Sequence, residues 1–306
     1  MATSEPGRIE RLRKWITEEH RGLFENIRRS IYILRKNQLT IVGIFLITMI
    51  AVLGLLAPVI APYPADRGSV TKFDQRFQSP SLEHPFGTDH FGRDIFSRVL
   101  FGARISVRIA LQVVGAALLI GIPLGVAAGY LGGRTEMLIM RVTDVFVSIP
   151  RLILPVAIAG ALGRSLGNVM LALTITWWPW YVRLLRSEVK EVKQNEYIEA
   201  AESLGASSPR IMFLHLLPNS VTSLLVQATM DMGVVILVTA ALSFIGVGAS
   251  APTPEWGLMV ANGRQYMPET WWYSFFPGMF IFITVMGYNL IGDGLRDILD
   301  PKSRLE

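Results

Sequence analysis

Residues 196–218, EYIEAAESLGASSPRIMFLHLLP, form a charged stretch in a chain that is otherwise strongly apolar. The pattern predicts two short helices around Gly205, because glycine readily adopts the left-handed backbone that ends a helix. We predict that Ser208 caps the second helix and that Pro209 takes its first position, where a missing N–H costs nothing. The first helix has an acidic and an apolar face, made by Glu196, Glu199 and Glu202 and by Tyr197, Ile198, Ala201 and Leu204. An amphipathic helix of this kind is expected to dock into a groove of a partner protein.

The composition around this stretch indicates an integral membrane protein. The chain has 306 residues, of which 51% are hydrophobic and 17% charged, and its mean hydropathy is +0.41. Crossing a bilayer takes about 20 predominantly apolar residues. Six stretches have that character: 39–62, 104–130, 137–162, 169–187, 219–247 and 275–295. We therefore predict an all-α polytopic fold with six transmembrane helices, the third and fourth being interrupted by Pro150, Arg151 and Pro179.

The distribution of lysine and arginine predicts the orientation of these spans. Nine basic residues lie between positions 8 and 36, ahead of the first span, and positively charged flanks stay in the cytoplasm. Six spans return the C-terminus to the same side. The predicted organisation is a basic N-terminal segment (1–37), a first helix (38–62), an outer loop (63–103), a five-helix core (104–296) with a cytoplasmic loop (188–218), and a cytoplasmic tail (297–306). Residues 8–36 fit either an amphipathic helix on the inner membrane surface or a solvated basic lead-in.

Polar and small residues inside the spans predict helix faces. Ser220, Ser223, Gln227 and Asp231 follow 3, 4, 4 spacing and so share one side of the fifth span. A charge at mid-bilayer costs about 2.5–3.5 kcal/mol on the insertion scale, so Asp231 lines a translocation path or takes part in a buried pair or subunit contact. In the third span we predict that Arg141 pairs with Asp144, three residues on. Small residues at every fourth position of the second span predict close helix packing: Gly121, Gly125 and Gly129.

The sequence offers no catalytic or nucleotide-binding pattern. It contains no cysteine, no HExxH, no Ser-His-Asp arrangement and no GxxxxGK[ST] phosphate loop. His84 and His90 are the candidates for a metal site, but without a third ligand at suitable spacing they are better interpreted as ordinary loop histidines. The net charge of +5 is explained by membrane topology and requires no nucleic acid. We therefore predict that this chain has no enzymatic site, metal or cofactor of its own, and that ATP, if used, is bound elsewhere.

Four motifs together resemble one family. EAAESLG followed by LLP resembles the cytoplasmic loop of ABC importer permeases, and the ending HLLPN (215–219) is similar to the peptide-permease branch. HPFGTDHFGRDIFSRVLFGARIS, ALSFIGVGASAPTPEWG and NLIGDGLRDILDP resemble the C-type permease subunit of dipeptide and oligopeptide ABC importers. The resemblance covers most of residues 36–301. It implies the type I importer permease fold in a prokaryotic inner membrane, with ATPase-coupling residues at Glu196, Tyr197, Glu199, Ala200, Ala201, Leu204, Gly205, His215 and Pro218.

The resemblance also implies partners and a cargo class. A B-type permease would form the other half of the translocation pathway in the lipid bilayer, and two ATPase subunits would bind ATP and Mg²⁺. An extracytoplasmic binding protein would deliver peptides to the two permeases. Relatives in this family carry other cargo as well, so nickel chelates, glutathione and oligosaccharides stay open as alternatives. A proton-coupled secondary transporter would rest on Asp231 alone, without a visible inverted repeat. A membrane enzyme or scaffold lacks catalytic groups and would leave the 196–218 motif unexplained.

Overall fold

The computed structural model describes residues 37–299. The basic N-terminal segment, with its two interpretations, and the last residues of the predicted tail lie outside the described part of the chain. Long helices dominate the rest. They are α1 (Gln38–Ile60), α2 (Ile95–Leu131), α3 (Gly133–Val147), α4 (Ile153–Leu162), α5 (Leu166–Val192), α6 (Glu196–Ser203), α7 (Ser208–Phe244), α8 (Trp256–Gly263) and α9 (Trp272–Leu299).

Within residues 37–299, four helices are long and apolar enough to cross a membrane: α1, α2, α7 and α9. The predicted third span, 137–162, is not one helix. It is divided into α3 and α4 by an irregular stretch around Pro150, because proline lacks the N–H for a helical hydrogen bond and disfavours helical backbone in the residue before it. The predicted fourth span lies within α5, whose 27 residues continue past the apolar part into a charged end.

The second predicted span begins earlier than expected. We predicted an outer loop up to residue 103, but α2 starts at Ile95, where the Asp94 side chain caps it by accepting a hydrogen bond from the Ser97 N–H at 2.7 Å. The loop between α1 and α2 is tied together by buried charges. Arg93 Nε donates to Asp89 Oδ2 at 2.7 Å, and Arg98 donates to the Asp66 carbonyl at 2.8 Å. These pairs make the loop an ordered cap on one end of the bundle.

Helix α2 packs closely, as the glycine spacing predicted, and its partner is α5. A Cβ added to Gly121, Gly125 or Gly129 would lie 2.6–2.9 Å from atoms of α5. The facing residues are, in the same order, Tyr181, Leu185 and Val189, so α2 and α5 run parallel. Glycine allows the two backbones to approach closely, and this contact supplies the attraction that lipid cannot. The α2–α5 pair is the centre of the largest buried apolar cluster.

Candidate functional site

The 196–218 stretch folds as two helical pieces around Gly205, as predicted. Helix α6 ends at Ser203, and Gly205 follows in the left-handed region with φ +80°. The N–H groups of Gly205 and Ala206 donate to the carbonyls of Glu202 and Ala201 at 2.9 and 3.1 Å. This is the paired bonding of a Schellman end, in which glycine takes the strained position. The abrupt stop fixes the direction in which the chain leaves α6.

The start of the second piece differs from the prediction by one residue. Helix α7 begins at Ser208, so Ser207 occupies the capping position and its side chain makes no capping hydrogen bond. Pro209 is the second helical residue rather than the first. Further along, Ile211–Leu216 widens to a π-helix just before Pro218. Proline cannot donate its backbone N–H, and a locally widened turn accommodates that loss.

One apolar side chain seats α6 on the bundle, while the other large ones face outward. Ile198 is 1% exposed and belongs to the buried cluster that includes Tyr130, Val189 and Ile211. Leu204 is 88% exposed, and Tyr197 is also exposed. The acidic residues of the first turn suit the positive end of the helix dipole and point to the surface: Glu196 and Glu199. The helix is thus attached by its inner face and presents an acidic and apolar outer face.

The end of α2 holds α6 in place through polar contacts. Tyr130 donates its hydroxyl hydrogen to Glu202 Oε1 at 3.1 Å, and Lys193 Nζ donates to the Tyr130 carbonyl at 2.8 Å. Of the remaining predicted coupling residues, Ala200, Gly205 and Pro218 are exposed and Ala201 is half-buried. The carbonyl of half-buried His215 accepts a hydrogen bond from the Asn219 side chain. All of these residues therefore lie on one end of the bundle.

A cluster that the sequence analysis missed stiffens the same end. Glu136 of α3 accepts hydrogen bonds from Lys190 at 2.5 Å and from Arg186. Asp144 pairs with Arg183 at 2.7 Å, so the prediction that it pairs with Arg141 is wrong. The spacing rule considered only one helix, whereas α5 brings its own cations alongside α3.

The four polar residues predicted to share one face of α7 do not form one continuous set of contacts. Gln227 Nε2 and Asp231 Oδ1 are 3.1 Å apart, and Ser220 is buried nearer the start of the helix, while Ser223 is half-buried. Asp231 is 1% exposed and accepts a hydrogen bond from Arg151 at 3.2 Å. This contact fits the buried-pair alternative for Asp231. A role of the four residues in a translocation path stays a prediction, and Arg151, seen in the sequence only as an interruption, joins the candidates.

The two loop histidines have partners within the cap. His84 Nδ1 lies 3.0 Å from Asp94 Oδ1, and His90 Nδ1 lies 2.9 Å from the Tyr273 hydroxyl. Between residues 37 and 299, no three histidine, cysteine or acidic side chains cluster as metal ligands would. The contacts explain both histidines as parts of the folded loop.

Comparison with known families identifies this architecture. The family described as "Binding-protein-dependent transport system inner membrane component" matches residues 121–305, more than half of the chain. The chain belongs to this family of transport permeases. A second family, "N-terminal TM domain of oligopeptide transport permease C", matches residues 27–80, which include α1 of this permease subunit.

Relatives confirm the resemblance to C-type permeases of dipeptide and oligopeptide importers. The permease is 44% identical to "Dipeptide transport system permease protein DppC" of Alkalihalophilus pseudofirmus over 89% of this chain and 88% of the relative. It is 45% identical to "Probable D,D-dipeptide transport system permease protein DdpC" of Escherichia coli over 90% and 91%. The fold is similar to a chain of the MetNI methionine ABC transporter, with a TM-score of 0.55, 19% identity, and coverage of 66% and 97%. The permease subunit is therefore an integral membrane protein.

Proposed function

We propose that this chain is the C-type membrane subunit of an ATP-driven importer of dipeptides or oligopeptides in a prokaryotic inner membrane. It forms half of the translocation pathway beside a related B-type permease. Two ATPase subunits bind ATP and Mg²⁺ on the cytoplasmic side, and an extracytoplasmic binding protein delivers the peptide. The peptide cargo is supported by the dipeptide permeases to which this chain is similar.

The observation that carries the coupling role is the way α6 is mounted. Ile198 and Tyr130 hold its inner face on the bundle, and Leu204 projects almost fully exposed from its end. A partner that covers this side chain removes apolar surface from water, which favours docking, and the acidic residues beside it add charge selectivity. We assign α6 as the coupling helix and place its end of the bundle in the cytoplasm. The α1–α2 loop then lies outside, where the binding protein docks.

Six membrane crossings can be assembled from the observed helices. Four helices of the described part of the chain have the length and hydropathy of membrane spans. We propose that α3 and α4 together make a fifth crossing with a break inside the membrane, and that α5 makes the sixth. Broken helices occur in membranes where their free backbone groups face protein or a wet cavity instead of lipid.

Reconstitution tests the proposal directly. Proteoliposomes containing both permeases, both ATPases and the binding protein should accumulate a labelled tripeptide only when ATP is supplied to the ATPase side. Glu199→Lys and Gly205→Pro should insert and pair with the B-type permease normally but lose uptake, since the first changes the charge of the exposed face of α6 and the second its C-terminal stop. Competition by excess glutathione, an oligosaccharide or a nickel chelate would reveal a different cargo. Normal uptake by both variants would refute the coupling assignment.

A further inference from the structure

The break between α3 and α4 carries an arginine into contact with two other helices. Arg151 lies between the end of α3 at Val147 and the start of α4 at Ile153. Its guanidinium donates to Asp231 of α7 and lies over the ring of Trp177 of α5, with 4.1 Å from its central carbon to the ring centre. The ring of Trp180 is 5.6 Å away. We call these four residues, with Tyr181, the arginine site.

The arginine site has unused hydrogen-bonding capacity. A guanidinium has five N–H donors, and the described contacts of Arg151 include one hydrogen bond, to Asp231 Oδ1. The Tyr181 hydroxyl lies beside the Asp231 carboxylate, whereas the Trp177 ring nitrogen is buried without a hydrogen-bonding partner among residues 37–299. Folded proteins pair the large majority of buried polar atoms. A partly exposed guanidinium with donors to spare, stacked on a buried indole whose N–H has no partner in the described part of the chain, points to a ligand.

The position of Arg151 makes its side chain accessible to a ligand. Its side chain is 39% exposed, whereas the side chain of Asp231 is 1% exposed. Arg151 and Asp231 fall near the middle of the predicted spans 137–162 and 219–247, so the six crossings proposed above put both deep in the bilayer. Ionisable groups at that depth usually face a bundle interior or a wet cavity and mark a substrate route. Aromatic walls with a few polar groups are the usual lining of a small-molecule site.

We propose that Arg151 binds the C-terminal carboxylate of a peptide as it crosses the membrane. The proposal rests on the proposed function, since it names the contact that the cargo makes. The planar fork of a guanidinium matches a carboxylate, and stacking on Trp177 holds that fork in a fixed plane. Trp180, also exposed, offers an apolar wall for a neighbouring peptide side chain.

Asp231 makes the contact reversible. A transported solute must bind strongly enough to enter a site and weakly enough to leave it. Because Asp231 already neutralises Arg151, an arriving carboxylate has to compete with it, and on departure the internal pair forms again. Asp231 is thus a positioning residue that orients Arg151 and limits its affinity for cargo.

The test compares two forms of one tripeptide, with a free C-terminal carboxylate and with a C-terminal amide, in the complete reconstituted transporter. Because all variants use the same binding protein, a change in the ratio of the two uptake rates reports on the permease. We expect the wild type to favour the free acid and Arg151→Gln to reduce that preference about tenfold, the usual order for a hydrogen bond to a charged group. Arg151→Lys should retain part of it. Arg183→Gln, which removes an exposed ion pair with Asp144, should leave the ratio unchanged.

A second variant separates positioning from folding. Asp231→Asn leaves Arg151 without its competing carboxylate, so we expect a lower KM and a lower maximal rate for the free acid, and little change for the amide. A purely structural pair would instead lower the maximal rate for both peptides alike.

The outcomes distinguish this inference from the proposed function. Equal wild-type uptake of acid and amide would overturn the carboxylate contact, even if every Arg151 variant failed to assemble. An unchanged ratio in Arg151→Gln would do the same, while ATP-driven import itself would stand. Absence of any ATP-dependent peptide uptake by the assembled wild type would reject the proposed function, and the inference with it.

Discussion

Truncating Leu204 should separate docking of the ATPase from folding of the membrane subunit. Leu204→Ala removes three carbon atoms from a side chain that is 88% exposed in this chain. Surface substitutions of this kind usually change the free energy of unfolding by less than about 0.5 kcal/mol. If the ATPase covers Leu204, the loss is about 0.8 kcal/mol per buried carbon, or about 2–3 kcal/mol. Since 1.4 kcal/mol is a tenfold change in affinity, binding of the ATPase should weaken roughly 50-fold.

Ile198→Ala provides the matched control on the same helix. Ile198 is 1% exposed, so its truncation leaves a cavity under α6 and should cost about 2–5 kcal/mol of local stability. The assay is binding of purified ATPase subunits to the permease pair in nanodiscs, together with thermal unfolding and ATP-driven uptake. Leu204→Ala should reduce affinity and uptake at an unchanged melting temperature, whereas Ile198→Ala should lower the melting temperature as well. Wild-type affinity in Leu204→Ala, or destabilisation equal to that of Ile198→Ala, would refute the docking assignment.

Three further changes probe the glycine at the end of α6, the helix packing and the cap. Gly205→Ala keeps clear of other atoms but puts an L-residue at φ +80°, so it should cost about 1–2 kcal/mol and reduce uptake several-fold, whereas Gly205→Asn should retain most uptake; equal uptake by both would contradict this. Gly125→Val should lower the melting temperature, because its Cβ would lie 2.9 Å from the Leu185 Cβ, at a cost of about 1–3 kcal/mol; Gly115→Val, with open space around its Cβ, should be neutral, and an equal loss would exclude packing as the cause. Burial lowers the pKa of His90 from its ordinary 6.5 despite the nearby Asp89, so the stability present above that pH should be lost as the pH falls below it. In His90→Gln, the melting temperature measured from pH 8 to 5 should fall less steeply with decreasing pH. An unchanged slope would assign the pH dependence to another group.

The sequence predicted the features that depend on local chemistry. Gly205 was recognisable as a helix end, since its conformational freedom is a property of the residue itself. The glycine repeat of α2 indicated close packing, since its members share one helix face, but not that α5 would be the partner. Hydropathy placed the start of the second span at residue 104, whereas the helix begins at Ile95, because Arg93 and Arg98 are held by partners in the preceding loop, the Asp89 carboxylate and the Asp66 carbonyl.

Pairs between distant segments account for the rest of what the sequence did not reveal. Asp231 was conspicuous as a charge in an apolar span, but its partner Arg151 lies 80 residues away, across a broken helix. Asp144 forms an ion pair with Arg183 of α5 rather than with Arg141 of its own helix. Spacing rules describe one helix at a time, so they cannot choose among cations that packing brings from another helix.

Helix α2 mechanically connects the two ends of the bundle. Its 37 residues span about 55 Å at 1.5 Å per residue. Near one end, the Val99 carbonyl accepts a hydrogen bond from the Trp256 ring, and at the other end the Tyr130 hydroxyl donates to Glu202 of α6, the proposed coupling helix. In the proposed importer, a push on α6 would be carried along this one helix to the cap where the binding protein would dock. Pro123, which cannot donate its backbone hydrogen bond, is the place in that helix where it can bend.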